Sequence, residues 1–292
     1  MPRSILEGNR ILIVGASGLL GSRVFDRFKS RNEVVGTSHT SGSNLNLQCI
    51  DATKYSEVEK LVLDFKPNLI INCAGLTDVD VCESQPEYSW LLNVKLPANL
   101  ARTANLTSSR YIQISTDHFE NSGPTSESDD VLPVNVYGFH KLLAESIIDD
   151  IYANHIIIRT NFFGLSNGPK DSFFNWILKS LENRVEIKGF KDIFFTPVGI
   201  EVLIDSIEFL VGVDYRGKIN VSASESLSKF EFITKVARLC AYEKPLIIQD
   251  LVTNANHLVS RPKDMSLSNR KLEGLGMQIP TIDQMISMQL EG

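Results

Sequence analysis

Apolar and polar positions alternate along the chain in two rhythms. Short apolar runs of strand length recur through the first two thirds: ILIV at 11–14, EVVG at 33–36, NLII at 68–71, YIQI at 111–114 and HIIIR at 155–159. Between them apolar residues return at helical spacing, as in Val58, Leu61, Val62 and Phe65, or Leu92, Val94, Leu96, Leu100 and Ala101. Strands that are apolar on both faces suit a parallel sheet, whose crossover helices cover it on both sides. The pattern therefore predicts an α/β fold with a doubly wound parallel sheet, and ligands in such a fold bind at the carboxyl ends of the strands.

After Arg159 the rhythm changes. An aromatic-rich stretch (NFFG, DSFFNWI, KDIFFTP) precedes a helix near 198–212, a short strand KINVSA and a further helix from Lys229. We expect a dinucleotide-binding domain from 1–160 plus about 197–225, and a smaller mixed α/β substrate lobe from about 161–196 plus 226–292. Phe173, Phe174 and Trp176 read as lobe core, with stacking on a ligand as the alternative.

The stretch GASGLLG places Gly15, Gly18 and Gly21 directly after the first strand and at the start of the helix LLGSRVFDRF. A turn too tight for side chains lets backbone N–H groups and the helix N-terminus face a pyrophosphate. No acidic residue follows the second strand; Thr37, Ser38, His39 and Thr40 stand there instead. Small hydroxyls leave room for a 2′-phosphate, which favours NADP(H) and leaves NAD(H) open. Asp51 and Ala52 are placed to flank the adenine, and Ala74 and Gly75 close the strand NLII with small residues where a dinucleotide can lie against backbone.

Composition narrows the classes. The 292 residues are 43% hydrophobic and 22% charged, with a net charge of −6, which gives no electrostatic reason to expect nucleic acid as a partner. The four cysteines, Cys49, Cys73, Cys82 and Cys240, form no CxxC pair, so we read them as reduced and mostly buried thiols, with neither a disulfide framework nor a metal site required. The N-terminal run ILIVGASGLL is short, glycine-broken and followed by charge, unlike a signal peptide or a membrane span, so a cytoplasmic protein is expected.

The strand YIQI ends in Ser115, Thr116 and Asp117, and about twenty residues later comes VYGFHKLLAE. Its Tyr137 and Lys141 stand four apart and so share a helix face, with Phe139 and Leu142 or Leu143 left to the packing face. A neighbouring ammonium favours the phenolate and lowers the tyrosine pKa, which suits a general acid and base near neutrality. Chance produces such a spacing readily; the order of glycine loop, hydroxyl pair and Tyr/Lys helix is what gives it weight.

Taken together these segments resemble the extended short-chain dehydrogenase/reductases, Rossmann-fold proteins, and within them the dTDP-4-dehydrorhamnose reductase branch. The resemblance lies in GASGLLG, INCAG at 71–75, VDVCESQPEYSWLLNVKLPANLA at 79–101, ISTD at 114–117, YGFHK at 137–141, IIRTNFFG at 157–164, FTP at 195–197 and RPKDMSLSNRKL at 261–272. It implies an NAD(P)H-dependent oxidoreductase acting on a nucleotide-linked keto-sugar, of the kind used in polysaccharide biosynthesis. By position, Tyr137 would protonate the keto oxygen, Lys141 would hold the ribose hydroxyls and Thr116 would hydrogen-bond the carbonyl. Gly15, Ser17, Gly18, Leu20 and Gly21 would line the pyrophosphate, with Thr37 and Ser38 by the ribose and Phe162 along the cofactor. Asp117 and Asn161 would meet the substrate; Arg261, since arginine reads phosphate bidentately, is a candidate for holding its diphosphate, with an exposed arginine rigidifying the turn before Pro262 as the alternative. Neither nucleic acid nor membrane is an expected partner, and a homodimer is allowed.

Departures from the family pattern concern the substrate. The STD motif continues as His118, Phe119, Glu120, one residue shorter than the usual aromatic-rich YVF, and the loop after RT, which often carries tryptophan, reads Asn161, Phe162, Phe163. His118 stands where related dehydratases carry an acid, which argues against dehydration; it is a candidate substitute acid or a loop histidine. Two alternatives stay open. One is a sugar-nucleotide epimerase; the other is an NADP-binding regulatory subunit resembling the methionine adenosyltransferase β subunit, since fold and cofactor do not fix function.

Overall fold

The computed structural model describes residues 6–39, 47–166, 171–242, 245–254 and 259–291. The chain divides into two compact units, the first from Met1–Ser115, Asn135–Arg159 and Ile204–Ile219, the second from Thr116–Val134, Thr160–Leu203 and Asn220–Gly292.

The first unit is built on a seven-stranded sheet. Its strands β1 (Arg10–Val14), β2 (Glu33–Ser38), β3 (Gln48–Cys49), β4 (Leu69–Asn72), β5 (Arg110–Ile114) and β6 (His155–Thr160) are joined by a last strand, Gly217–Val221, in the order Gly217–Val221, β6, β5, β4, β1, β2, β3. From β3 to β6 neighbouring strands run parallel, with Leu12 opposite Ile70, Ile71 opposite Ile112 and Ile112 opposite Ile156. The order reverses direction at β1 and β4, the switch point where doubly wound sheets open a crevice.

One face carries a core of Leu12, Val14, Ile70, Tyr111 and Ile157 against Val58 and Val62 of α2 (Tyr55–Phe65), Leu96 and Leu100 of α5 (Leu96–Thr107) and Ile148 of α6 (Val136–Ile151). Side chains alternate along a strand, so the fully buried Ile11 and Ile13 point the other way. Helix α1 (Leu19–Phe28) buries Val24 and Phe28 and is tied by Arg27, 2.9 Å from Asp205, to α8 (Ile200–Gly212). Between β4 and α5 lie two short helices, α3 (Val79–Ser84) and α4 (Pro86–Trp90), and then a π-helical turn, Leu91–Lys95.

The second unit pairs short strands: Phe162–Phe163 parallel to Val198–Gly199, Ile187–Phe190 parallel to Ile247–Asp250, and Phe194–Phe195 antiparallel to Leu227–Ser228. Its core is aromatic, with Phe232 at 5.0 Å from Phe163 and 5.6 Å from Phe195, ring centre to ring centre, and Phe174 fully buried beside Phe163. Phe173 and Trp176 stack on each other but stay half exposed, so only Phe174 of that aromatic trio is core. Helix α7 (Phe173–Glu182) is capped by Ser172, and α9 (Lys229–Leu239) by a reciprocal pair in which Ser228 and Glu231 satisfy each other's backbone N–H.

Two expectations from the sequence are corrected here. All four cysteines are free, but only Cys82 is buried and Cys49 is exposed on the edge strand. Phe139 is 53% exposed instead of packing inward, because the buried stripe of α6 runs through Tyr137, Lys141, Ala144, Glu145 and Ile148. Among the described residues no helix is long and apolar enough to cross a membrane, and no cluster of His, Cys, Asp or Glu is arranged to hold a metal ion.

Candidate active site

At the carboxyl ends of β1, β2 and β4 the first unit opens a cleft of about 390 Å³. Gly15, Ser17 and Gly18 line it from the glycine turn, Thr37, Ser38 and His39 from the end of β2, Asp51 and Ala52 from beyond β3, and Ala74 and Gly75 from the end of β4. The structure thus gathers nine of the predicted cofactor residues around one space. Leu20 and Gly21 lie buried in the first turn of α1, and Thr40 falls outside the described residues.

The glycines are required by geometry. Gly15 has φ +80°, and a Cβ there would stand 2.8 Å from the backbone of Ala74; a Cβ on Gly21 would lie 2.1 Å from the Gly15 carbonyl oxygen. Strand end, turn and helix therefore close to within backbone contact. Gly18 begins α1 with no side-chain cap, which leaves the N–H groups of the first turn for a ligand. Asp51 accepts hydrogen bonds from the Thr53 hydroxyl (2.6 Å) and backbone N–H (3.1 Å); the hydroxyl foremost, with the backbone N–H and the Lys54 ammonium, holds its carboxyl below the ordinary range against the opposing effect of burial.

The remaining wall includes Tyr88, Leu91, Leu92 and Leu96, none of which the sequence marked as a cofactor contact. Leu91 and Leu92 lie in the π-helical turn itself, Tyr88 and Leu96 in the helices on either side of it. Asn93, buried in that turn, clips the chain after β4: its amide donates to the Leu76 carbonyl at 2.9 Å and its oxygen accepts the Leu76 N–H at 3.0 Å. The amide also reaches the Ser89 hydroxyl at 3.3 Å, and Ser89 lies 2.8 Å from Nδ1 of His140, the residue before Lys141. A single extra residue in a helix is a recurrent device beside functional sites, and the apolar run LLNVKL gives no local sign of it.

Helix α6 begins at Asn135, whose side chain accepts the Gly138 N–H at 2.9 Å, and this cap fixes the helix start one residue before Tyr137. Tyr137 and Lys141 are 8% and 6% exposed. The Lys141 ammonium donates to the Ile114 carbonyl at 2.8 Å, at the end of β5. Burial pulls its pKa down to about 8, with Glu145 and Cys82 pulling upward.

Behind it, Glu145 is fully buried and held bidentately by Arg159, at 2.7 to 3.1 Å. It also accepts from the Ser115 hydroxyl at 2.6 Å and sits 3.2 Å from Lys218. Burial pushes the Glu145 carboxyl up, but Arg159, Lys218 and Ser115 outweigh it and keep the group ionised below its usual range.

Thr116, Asp117, Asn161, Phe162 and Arg261 belong to the second unit. The buried Thr116 hydroxyl accepts the His118 N–H at 3.1 Å and keeps its own proton for donation. Burial raises Asp117 to about 7, against the opposing charge of Lys229 and the Asn161 amide. His118 is pushed to about 4 by burial, Arg261 and Lys229, so near neutrality it is an uncharged imidazole with no acidic proton of the imidazolium kind to give. Lys229, which the sequence did not mark, is therefore part of this charged group.

Residues 9–290 match the family described as the RmlD substrate binding domain. A probable low-salt glycan biosynthesis reductase, Agl14 of Haloferax volcanii, is 28% identical over 281 residues, covering 93% of this chain and 94% of that protein. The dTDP-4-dehydrorhamnose reductase of Escherichia coli (strain K12) is 31% identical over 196 residues, 64% of this chain and 65% of that one. Among solved structures, a dTDP-4-dehydrorhamnose reductase from Bacillus anthracis in complex with NADP superposes with a TM-score of 0.89 at 23% identity, covering 97% of this chain and 99% of its own, which establishes the shared fold. With the doubly wound sheet, the glycine turn and the Tyr/Lys helix already in place, the match across nearly its whole length makes this chain a member of the RmlD substrate binding domain family.

Proposed function

We propose that the protein is an NADPH-dependent reductase of a nucleotide-linked keto-sugar. The observation that carries this is the pairing, in one unit, of a cleft whose glycines admit backbone to a pyrophosphate with a helix that buries Tyr137 and Lys141 on one face. The full-length likeness to Agl14, a probable glycan biosynthesis reductase, and the likeness to a dTDP-4-dehydrorhamnose reductase support the substrate class.

The cleft fits a dinucleotide on its own terms. An added Cβ at Gly15 or Gly21 would fill the turn, and the uncapped N-terminus of α1 presents N–H groups to an anion. Thr37 and Ser38 at the end of β2 put no carboxylate beside the ribose, which favours the 2′-phosphate of NADP(H). Bound there, the reduced nicotinamide supplies a hydride to the carbonyl carbon.

The chain's own groups handle the proton. Tyr137 gives its hydroxyl proton to the keto oxygen, so that the carbonyl leaves as an alcohol. The Lys141 ammonium, fixed by the Ile114 carbonyl, offsets the phenolate that results and holds the ribose hydroxyls. The role assigned to Thr116 is a hydrogen bond from its free proton to the carbonyl oxygen.

The test is NADPH oxidation against a panel of nucleotide-linked 4-keto-sugars. Tyr137→Phe is expected to lower kcat roughly 10²–10⁴-fold, the range for loss of a general acid, with NADPH binding retained. No turnover on any sugar, together with stable co-purification with another enzyme, would reassign the chain as a regulatory subunit; net interconversion of sugars without NADPH consumption would make it an epimerase.

A further inference from the structure

One short segment of the first unit does two things at once. Tyr88, Leu91 and Leu92 line the cofactor cleft, while Ser89 and Asn93, 0% and 1% exposed, take no part in its lining. The bonds of these two buried residues have a fixed direction. The Asn93 oxygen accepts the Leu76 N–H at 3.0 Å and its nitrogen donates to the Leu76 carbonyl at 2.9 Å, which sets the amide's orientation and leaves its second N–H for the Ser89 oxygen at 3.3 Å. Having accepted there, Ser89 has its own proton to give. Of the acceptors in reach, the Cys82 sulfur is weak, and Nδ1 of His140 at 2.8 Å is the strong one. That direction puts the ring proton of His140 on Nε2 and keeps the imidazole neutral, the form that its burial also favours. The ring is 7% exposed and stands T-shaped to Trp90, 5.7 Å between centres.

A directed chain from Asn93 through Ser89 to His140 therefore joins three pieces of one site. These are the stretch after β4 whose Ala74 and Gly75 line the cleft, the wall of Tyr88, Leu91 and Leu92, and α6, in which His140 directly precedes Lys141. We infer that Ser89 and His140 are positioning residues of the reaction, their hydrogen bond setting the cofactor-lining segment against the helix that bears Tyr137 and Lys141. This rests on the reductase reading above. Neither residue lines the cleft; Ser89 acts through Tyr88, Leu91 and Leu92, and His140 through Lys141. Breaking the bond leaves a buried hydroxyl or ring nitrogen without a partner, so the two elements are held to one separation. Small errors in such a separation are costly where a cofactor and a proton donor must meet the same carbonyl.

The experiment titrates NADPH into the full chain and into His140→Phe, His140→Asn, Ser89→Ala and the combined Ser89→Ala, His140→Phe variant, with Tm measured on each. Phe keeps a ring beside Trp90 but offers no acceptor, whereas the Asn oxygen takes the place of Nδ1. His140→Phe and Ser89→Ala are each expected to weaken NADPH binding roughly tenfold and to lower Tm, while His140→Asn stays within about threefold of the wild type. In the combined variant both partners are apolar and the Asn93 amide keeps the Cys82 sulfur at 3.7 Å, so Tm recovers toward that of the wild type. The bond between the elements is still absent, so NADPH affinity stays low. In turnover, His140→Phe is expected to raise KM for NADPH by a larger factor than KM for the keto-sugar. Ser89→Ala, a change to the best helix former, carries the test alone if His140→Phe does not fold.

Unchanged NADPH affinity in His140→Phe or in Ser89→Ala, or a His140→Asn variant as weak as His140→Phe, would overturn the inference. So would a combined variant whose affinity recovers together with its Tm, because a packing role alone moves the two in step. NADPH affinities in the expected order, in a chain that reduces no keto-sugar, would remove the reductase reading and leave the tie between wall and helix standing. Keto-sugar reduction with NADPH affinity untouched in His140→Phe and Ser89→Ala would do the reverse.

Discussion

The charge on Lys141 depends on Glu145, one helical turn further along α6, and on what surrounds that carboxylate. Arg159 and Lys218 face Glu145 from neighbouring strands, Ser115 from the end of β5, and Cys82 faces Lys141. Burial has lowered the Lys141 ammonium to about 8, so it is charged below that pH and lost as pH rises through it. Turnover and NADPH affinity are therefore expected to fall on the alkaline side with a limb near 8. Glu145 pulls that value up, so Glu145→Gln should move the limb to lower pH, and a pH–rate profile of the two proteins checks it. At the end of β2, Ser38→Asp places a carboxylate where the 2′-phosphate would lie, and the ratio of NADPH to NADH affinity is expected to drop at least about tenfold, each tenfold being about 1.4 kcal/mol. Tyr137 and Lys141 were legible because i and i+4 share a face whatever the fold. Lys229 was not, since a lysine in a helix's first turn reads as solvated until the Phe195 ring is placed under it.

At the scale of elements, two connections shape the cleft, and they differ in how openly the sequence declares them. The glycine turn is declared: β1, the turn and α1 follow one another as the pattern predicts, with α1 spanning Leu19–Phe28. Gly15→Ala must adopt φ +80° and push on Ala74, so we expect weaker NADPH binding and a lower Tm, with Gly8→Ala, which also has positive φ but meets nothing within 4 Å, losing stability alone. The π-helical turn is silent in the sequence, because an apolar run tolerates either helical period. Asn93→Ala removes both bonds to Leu76 and is expected to lower NADPH affinity roughly tenfold, at about 0.5–1.5 kcal/mol for each hydrogen bond lost; a fluorescence titration reads it. The outward Phe139 was misjudged for a related reason. Apolar residues suggested the packing face of α6, yet the face that is buried is the one bearing Tyr137, Lys141 and Glu145.

The chain passes from one compact unit to the other five times, at the junctions after 115, 134, 159, 203 and 219. A ligand that binds only the folded form stabilises it by mass action, so NADPH at a hundredfold over its Kd is expected to add about 2.7 kcal/mol and raise Tm measurably. A fragment ending at Thr160 keeps β1 to β6 but lacks the Gly217–Val221 strand beside β6, and it is expected to aggregate through that bared edge, as size-exclusion chromatography would show. The central sheet was legible because strand and helix periods differ; the short strand pairs of the second unit, two to four residues each, are too brief to leave a period. The interleaving has an evolutionary consequence. No single recombination event can transplant the second unit from one relative to another, because its residues come from three separate stretches of the gene. New properties of that unit arise instead by point replacement in place, one side chain at a time.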